Sequence, residues 1–339
     1  MGKKLTAIIA ACFLMVFGLA GCGGSTEDSD ANGPTDPTHL TFVLDWTPNT
    51  NHTGIYVAEA LGYFDEAGLE VEVIQPPENG VEGVVASGKA DFGVSFQDYL
   101  VPCLAGEEKP MPVTAVAAII QHNLSGIMSD KDQGITSPSK MENHSYATWE
   151  LPIEQAILKE CVEEDGGNFD NVVMLPEVID DEVTALRSKQ VDTIWVFYGW
   201  AGIAAEVQDF AINYFAFKDI DDAFDYYSPV IIANDEFLAD NPDTAKAFLE
   251  AVSKGYEYAI ENPDEAAEIL LEANPELDAD LVKASQKYLA DQYQADADRW
   301  GVIDANRWNK FYQFINEKGL SEQEIPLDTG FTNDYLPKK

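Results

Sequence analysis

Candidate ligand-binding side chains cluster in four short segments that each follow a predicted strand. These segments are residues 45–52, 95–99, 149–150 and 195–200, and they are rich in aromatic, acidic and amide side chains. Flat rings stack on a planar heterocycle, each pair being worth ~0.5–1.5 kcal/mol beyond area burial. The segments therefore predict a site for a small planar ligand. The binding candidates in or near them are Asp45, Trp46, Asn49, Asn51, His52, Tyr56, Ser95, Gln97, Trp149, Glu150, Tyr198 and Trp200.

Some residues of these segments also have a structural interpretation. Core packing is the alternative for each single aromatic, and we expect it for Trp195 and Phe197. Asn51 either faces the ligand or caps the helix that follows it. His52 has no Cys or carboxylate beside it at ligand spacing, so we do not expect it to bind a metal ion. We predict no catalytic residue, no metal and no cofactor.

The charges around the segments indicate which ligands fit. Lys and Arg are absent from three stretches, residues 42–88, 142–158 and 190–217. A site for sulfonate, nitrate or phosphate normally offers a guanidinium or an ammonium group, although helix N-termini can substitute. Asp45, Asp98 and Glu150 instead offer acceptors for ring N–H and amino groups. Asp98 is expected as a solvated loop residue or helix cap, and the same alternative stands for Asp45 and Glu150. The lining favours a neutral or weakly basic heterocycle.

The composition is that of a folded and strongly acidic protein. Apolar residues make up 46% and charged residues 24% of 339 residues, a length that implies two lobes. The 60 acidic and 20 basic side chains give a net charge of -40, which disfavours nucleic-acid binding. Four cysteines without a CxxC pair exclude a disulfide framework. Cys103 and Cys161 are expected as buried free thiols.

The apolar pattern predicts alternating strands and helices. Strands are expected at residues 40–44, 71–74 and 92–95, and the helices between them end at Gly62 and Gly88. This alternation indicates parallel βαβ units.

Part of this pattern recurs 101 residues later. Residues 71–74 and the Ser-x-x-x-Asp element at 87–91 correspond to residues 172–175 and 188–192. A shared strand, helix and strand unit predicts two α/β lobes of similar build.

The last third of the chain is predicted to be helical. Helices are expected to begin after an Asn cap at Asn241-Pro242, Asn262-Pro263 and Asn274-Pro275. We expect this tail to pack on the first lobe. Lobe one would then comprise residues 39–121 and 234–339, and lobe two residues 122–233.

The crossovers between the lobes are expected to form the hinge. They are placed near residues 121–125 and 228–233, and His122 is expected to have a structural role there.

The N-terminus predicts a membrane anchor. Residues 1–21 combine two lysines with an apolar run too short to span a bilayer, which is typical of a signal peptide. The run ends in Leu19-Ala20-Gly21-Cys22, which resembles the lipobox of bacterial lipoproteins. That resemblance implies lipidation of Cys22, and the alternative is an ordinary signal peptide. Residues 22–38 lack large apolar side chains and predict a flexible tether.

The run from Asp45 to Ala58, DWTPNTNHTGIYVA, resembles the NMT1/THI5-like (SsuA/THI5-like) solute-binding proteins. Weaker matches occur at Ser87-Gly88-Lys89-Ala90-Asp91 and Asn262-Pro263-Asp264-Glu265, so the resemblance covers most of residues 40–315. It implies a type II periplasmic-binding-protein-like fold, with two α/β lobes, a two-strand hinge and a cleft between them. It also implies capture of a pyrimidine precursor of thiamine by hinge closure, and delivery to an ABC transporter permease.

The resemblance leaves two alternatives open. The family also includes eukaryotic pyrimidine synthases, but those carry a cysteine-rich cluster that this chain lacks. A binding protein for riboflavin, a purine or an alkylsulfonate is the other alternative, and the cation-free loops weaken the sulfonate version. We therefore predict a non-enzymatic, monomeric binding lipoprotein that is anchored on the extracytoplasmic face of the cell membrane.

Overall fold

A computed structural model describes residues 36–77, 80–106, 110–177 and 179–338 of the chain. The signal peptide, Cys22 and nearly all of the tether predicted for residues 22–38 lie outside the described residues. Among the helices that are described, none has the length and apolar content needed to cross a membrane.

The described residues contain two sheets with helices packed around them. The strands are β1 Thr38–Val43, β2 Leu69–Ile74, β3 Phe92–Ser95, β4 Val113–Ala118, β5 Ser125–Asp130, β6 Ser145–Thr148, β7 Val173–Pro176, β8 Thr193–Phe197, β9 Ile212–Ala216 and β10 Val230–Asn234. The helices are α1 Thr53–Ala60, α2 Tyr63–Glu66, α3 Val81–Ala86, α4 Val101–Leu104, α5 Pro152–Glu164, α6 Glu182–Arg187, α7 Ile203–Val207, α8 Asp235–Asp240, α9 Pro242–Glu261, α10 Pro263–Ala273, α11 Ala279–Ala290 and α12 Ala305–Lys318.

The two sheets have the same design. Sheet one has the order β2-β1-β3-β10-β4 and sheet two the order β7-β6-β8-β5-β9. In each sheet the first three strands are parallel and the last two join antiparallel. The predicted fold class, two α/β lobes of similar build, is confirmed. Lobe one and lobe two below mean the parts built on sheet one and sheet two.

The repeated aspartate has the same structural role in both lobes. The Asp91 carboxylate accepts a hydrogen bond from the Thr41 backbone N–H at 2.9 Å in lobe one. The Asp192 carboxylate accepts one from the Ser145 N–H at 2.8 Å in lobe two. Asp91 thereby holds β1 beside β3, and Asp192 holds β6 beside β8. This shared role explains why the sequence element recurs in both lobes.

The chain crosses between the sheets twice, at residues 119–124 and 217–229. The two crossings meet where His122 Nδ1 lies 2.7 Å from the Asp225 carboxylate. One predicted boundary is wrong: residues 230–233 were assigned to lobe two, whereas β10 pairs with β3 and β4 in sheet one. The apolar run Val230-Ile231-Ile232 does not itself reveal which sheet it joins.

The C-terminal tail is helical as predicted, but its asparagines act differently. Helices α9 and α10 begin at Pro242 and Pro263, while α11 begins at Ala279 after an Asp278 cap rather than at Pro275. Asn262 and Asn274 donate their side-chain amides to the Tyr258 and Leu270 carbonyls at 3.2 and 3.1 Å. They therefore stabilise the C-terminus of the preceding helix.

The tail closes the core of lobe one through a very tight helix contact. Gly255 of α9 lies so close to the backbone of α1 that a Cβ on Gly255 would be 2.0 Å from the Gly54 carbonyl oxygen. Beside this contact, Phe248 of α9 stacks on Phe92 with the ring centroids 4.1 Å apart. The tail thus packs directly behind the strands whose ends form the site.

Candidate functional site

A cavity of about 320 Å³ lies between the two lobes, among the segments that follow β1, β3, β6, β7 and β8. Ligands in open α/β folds bind at this end of the strands. Its lining contains eight aromatic side chains, four carboxylates and, among these described residues, neither Lys nor Arg. The lining residues are Asp45, Trp46, Asn49, Asn51, Phe96, Asp98, Tyr99, Trp149, Ile179, Asp180, Glu182, Trp195, Val196, Phe197, Trp200, Ala201 and Tyr226.

The loop after β1 supplies four of the predicted residues, and it is fixed from below by the C-terminal tail. The Tyr256 hydroxyl donates to the Asn51 carbonyl and the Tyr293 hydroxyl to the Thr50 carbonyl, both at 2.6 Å. Asn49 is the cap of the short helical turn here, since its side chain accepts from the Asn51 N–H at 2.9 Å. Asn51 is therefore not the cap, and it lines the cavity.

His52 does not line the cavity, contrary to its prediction as a binding residue. It is fully buried, and its Nδ1 accepts the Asn49 backbone N–H at 3.2 Å while Nε2 lies 2.6 Å from Asp45. A ring nitrogen that accepts an N–H carries no proton, so His52 is neutral and donates through Nε2. His52 thus orients the Asp45 carboxylate, which does line the cavity.

Two further predicted residues of lobe one, Ser95 and Gln97, are buried in structural hydrogen bonds. Gln97 donates its amide to the Trp308 carbonyl at 2.8 Å and accepts from the Tyr227 N–H at 2.9 Å. Ser95 donates to the Glu82 carboxylate. Neither side chain lines the cavity, so the structure does not support their predicted role: both are buried and point into the protein interior.

Asp98, expected to be a solvated loop residue or a cap, is instead part of the cavity wall. Burial raises its pKa to about 7, and the nearby Glu82 charge adds to the effect. Its neighbour Phe96 stacks on Phe197 of lobe two with ring centroids 5.6 Å apart. The segment after β3 therefore contacts both the cavity and the opposite lobe.

In lobe two, the loop after β6 is organised by a carboxylate that the sequence analysis did not identify. Glu154 accepts hydrogen bonds from the Tyr146 hydroxyl at 2.6 Å and from the Trp149 N–H at 3.1 Å. Trp149 consequently reaches the cavity while 39% exposed. Glu150 is an exposed residue with a φ of 60° and does not line the cavity, so its predicted role is not supported.

Trp195 and Phe197 were expected in the core, but both line the cavity. They lie on β8, whose side chains reach the cavity before the strand ends. Trp195 is only 4% exposed and packs on Phe217, with ring centroids 4.2 Å apart. Its buried indole N–H has no hydrogen-bond partner in the part of the chain that the structure describes.

The wide helical turn Tyr198–Gly202 after β8 places Trp200 in the cavity wall. Tyr198 faces away from the cavity: its hydroxyl donates to Glu206 at 2.5 Å, and its ring lies 4.8 Å from that of Tyr214. Tyr56 packs instead against the α10–α11 cluster that also contacts Trp200. The predictions for Tyr198 and Tyr56 are therefore not supported, since neither side chain lines the cavity.

Asp180 and Glu182 also line the cavity and were not among the candidates. Burial raises the pKa of Glu182 to about 7, with smaller contributions from the adjacent Asp181 and Asp180 charges. The repeat places α6 in lobe two where α3 lies in lobe one, but no residue of α3 lines this cavity, so the repeat did not point to Asp180 and Glu182.

A second cavity of about 590 Å³ adjoins the first and shares Asp98, Tyr99, Trp149 and Trp195 with it. Its other walls are mainly apolar and come from α4, the start of α5 and residues 320–322.

No group of three His, Cys, Asp or Glu side chains within the described ranges could hold a metal ion. Cys103 and Cys161 are buried free thiols, as predicted. Burial raises the pKa of both thiols, that of Cys103 to about 12.

Comparison with known proteins gives consistent results. A family profile described as NMT1/THI5 like matches residues 49–266. A formylaminopyrimidine-binding protein of Halalkalibacterium halodurans is 27% identical over 333 residues, covering 96% of this chain and 98% of its own. A Saccharomyces cerevisiae 4-amino-5-hydroxymethyl-2-methylpyrimidine phosphate synthase is 26% identical over 321 residues, covering 88% of this chain and 87% of its own.

The structural comparison supports the fold. The periplasmic aliphatic sulphonate binding protein SsuA of Escherichia coli matches with a TM-score of 0.64 and 12% identity, covering 89% of this chain and 92% of its own. At this identity the match concerns the fold alone.

Proposed function

The chain belongs to the NMT1/THI5-like family, and from this premise we propose that it is the extracytoplasmic solute-binding component of an ABC importer. Its ligand is a small planar nitrogen heterocycle, of the formylaminopyrimidine or hydroxymethylpyrimidine type from which thiamine is made. The relative that binds formylaminopyrimidine matches this chain over nearly its full length, which supports the choice of ligand class.

The lining of the 320 Å³ cavity is the observation that carries this proposal. Its size suits a single substituted ring, and its eight aromatic side chains come from both lobes. Asp45, Asp98 and Glu182 provide acceptors for the N–H and amino groups of an aminopyrimidine. A sulfonate would find neither Lys nor Arg among the lining residues, so the sulfonate alternative is disfavoured although the fold is shared.

Capture by hinge closure fits the same geometry. Trp46 and Asn51 reach the cavity from lobe one, and Trp149 and Trp200 reach it from lobe two, so one ligand contacts both lobes. A ligand that bridges two lobes stabilises the closed state through its contacts with both. The closed state is the form that we propose the permease recognises.

The cellular location is part of the proposal. A signal peptide over residues 1–21 would direct export, and lipidation of Cys22 would retain the protein at the outer face of the membrane. Replacement of Cys22 by Ser would then release the protein into the medium or leave it unprocessed. Membrane retention of a processed Cys22→Ser protein would contradict the anchor.

We propose binding without catalysis, although several relatives are named as synthases. Thiol chemistry needs the thiolate, and burial raises the pKa of the Cys103 thiol to about 12. That pKa leaves almost no thiolate near neutral pH. Turnover of a pyrimidine or pyridoxal-type compound by the purified protein would support the enzyme alternative instead.

The test is to identify the bound molecule and then measure its affinity. Protein purified without added ligand is denatured, and the released small molecules are identified by mass spectrometry. Calorimetric titration with 4-amino-5-hydroxymethyl-2-methylpyrimidine and with taurine then compares the two ligand classes. We expect binding of the pyrimidine alone, and binding of taurine alone would overturn the assignment.

A further inference from the structure

The cavity between the lobes carries negative charge that the protein does not neutralise. Asp45 and Asp98 contribute from lobe one, and Asp180 and Glu182 from lobe two. Among the described residues, none of the four carboxylates forms an ion pair with Lys or Arg. The histidine beside Asp45 supplies no charge, because Nδ1 of His52 accepts the Asn49 backbone N–H.

Burial makes this arrangement costly for the empty protein. It raises the pKa of Asp98 and that of Glu182 to about 7, so that each is about half ionised near neutral pH. A partly buried carboxylate without a cationic partner is destabilised in its ionised form, and an opposite charge nearby restores that form. Closure of the lobes would remove further water and strengthen the requirement for a counter-charge.

The aromatic lining is suited to the same ligand charge. Four tryptophans, Trp46, Trp149, Trp195 and Trp200, line the cavity. The faces of tryptophan rings attract cations more strongly than those of tyrosine or phenylalanine. Aromatic faces combined with carboxylates distinguish a cation from a neutral ring of the same shape.

We propose that the site selects a planar nitrogen heterocycle in its positively charged form over a neutral ring of the same shape. This inference rests on the proposed function and specifies the ligand class further. Asp180, Glu182, Asp98 and Asp45 supply the counter-charge, and the tryptophan faces enclose the ring.

The test uses a pair of probes that differ in charge but not in shape. The cation is 4-amino-1,2-dimethylpyrimidinium, and the neutral isostere is 6-amino-2,3-dimethylpyridine, in which carbon replaces the methylated ring nitrogen and every substituent keeps its position. Both are titrated calorimetrically into the full chain at about pH 9.5, where the neutral ring stays unprotonated. We expect the cation to bind at least 10-fold more tightly. The difference should shrink as salt rises from about 0.05 to about 0.5 M.

Two variants link the charge preference to the cavity. Glu182→Gln and Asp180→Asn should each reduce the affinity for the cation about 3- to 10-fold and change that for the neutral ring less than about 2-fold. Asp180 is exposed, so its variant remains informative if Glu182→Gln fails to fold. Glu272→Gln removes an exposed carboxylate of α10 that lines neither cavity, and it should change neither affinity.

The outcomes separate this inference from the proposed function. Binding of the neutral ring without any advantage for the cation would overturn the charge selection and leave the heterocycle function standing. Equal losses for both probes in Glu182→Gln and Asp180→Asn would also overturn it, because the carboxylates would then act only as hydrogen-bond acceptors. If neither probe binds, both proposals fail.

Discussion

The two lobes share one sheet design but hold their cavity loops by different means. The lobe-one loop after β1 is fixed by distant tail residues, through hydrogen bonds from Tyr256 and Tyr293. The lobe-two loop after β6 is fixed locally, since Glu154 accepts hydrogen bonds from backbone N–H groups only a few residues away. Equal topology therefore does not imply equal support.

A substitution in the tail contact should affect stability most. Gly255→Ala places a methyl group against the Gly54 carbonyl and should lower the free energy of unfolding by roughly 3 kcal/mol, because packed helices cannot separate without losing contacts. Gly83→Ala is the matched control, since a Cβ there meets no atom within 4 Å and alanine favours the helix by about 0.5–1 kcal/mol. Urea denaturation measures both. Equal stability of the two variants would contradict the importance of the tail contact.

The second prediction compares one buried carboxylate from each lobe. The pKa values of Asp98 and Glu182 are raised to about 7, so the folded state holds protons that the unfolded state releases above its ordinary carboxyl pKa. The contribution of these two carboxyl groups to the free energy of unfolding should therefore fall as pH rises from about 4 to about 7. Asp98→Asn and Glu182→Gln should each gain stability relative to wild type between pH 5 and pH 8, on the order of 2 kcal/mol.

Melting curves across this pH range measure that gain. If the difference in melting temperature between variant and wild type stays constant with pH, the carboxylate is solvated in the folded protein.

The third prediction concerns tryptophans on opposite sides of the cavity. Trp46 is 46% exposed, so Trp46→Ala should weaken ligand binding roughly 2- to 13-fold and change the free energy of unfolding by less than about 0.5 kcal/mol. Trp200→Ala should weaken binding similarly but also destabilise the fold by at least about 1 kcal/mol, because Trp200 packs against the α10–α11 cluster. Normal binding by folded Trp46→Ala and Trp200→Ala would show that the cavity is not the site.

The smallest effect is expected where the lobes join. The hydrogen bond to Asp225 raises the pKa of His122, and Asp296 lies 3.0 Å from its other ring nitrogen. The protonated form is thus favoured in the folded state, so the stabilisation is present below the ordinary pKa of about 6.5 and is lost as pH rises through the higher folded value. His122→Gln should remove this pH dependence. The effect on the free energy of unfolding should be only some tenths of a kcal/mol, because the ion pair is partly exposed. Unchanged pH dependence in the variant would exclude the contribution.

Local sequence features predicted much of the fold. The alternation of apolar runs and glycine-ended helices gave β1, β2 and β3 nearly to the residue, and the recurring Ser-x-x-x-Asp element revealed the second lobe. The partner of β10 could not be derived in this way, because an apolar strand fits either sheet. The pairing of β10 depends on where the chain returns after lobe two, which is a property of the whole fold.

The site was predicted less well, for a related reason. Asp45, Trp46, Asn49, Asn51, Trp149 and Trp200 were correctly placed at the ends of strands and do line the cavity. The direction of individual side chains was not available from the sequence. Gln97 faces the interior while its neighbour Asp98 faces the cavity, and Glu154 rather than Glu150 is the buried carboxylate. Burial, not residue type, separates these pairs.

The central claim, that the cavity between the lobes binds a planar nitrogen heterocycle, is tested most directly by tryptophan fluorescence. Four of the six tryptophans line this cavity, while Trp300 and Trp308 are buried elsewhere. Titration with 4-amino-5-hydroxymethyl-2-methylpyrimidine should produce a saturable change in emission that Trp46→Ala shifts to higher ligand concentration. Taurine at the same concentrations should produce none. A saturable response to taurine, or none to the pyrimidine, would contradict the claim.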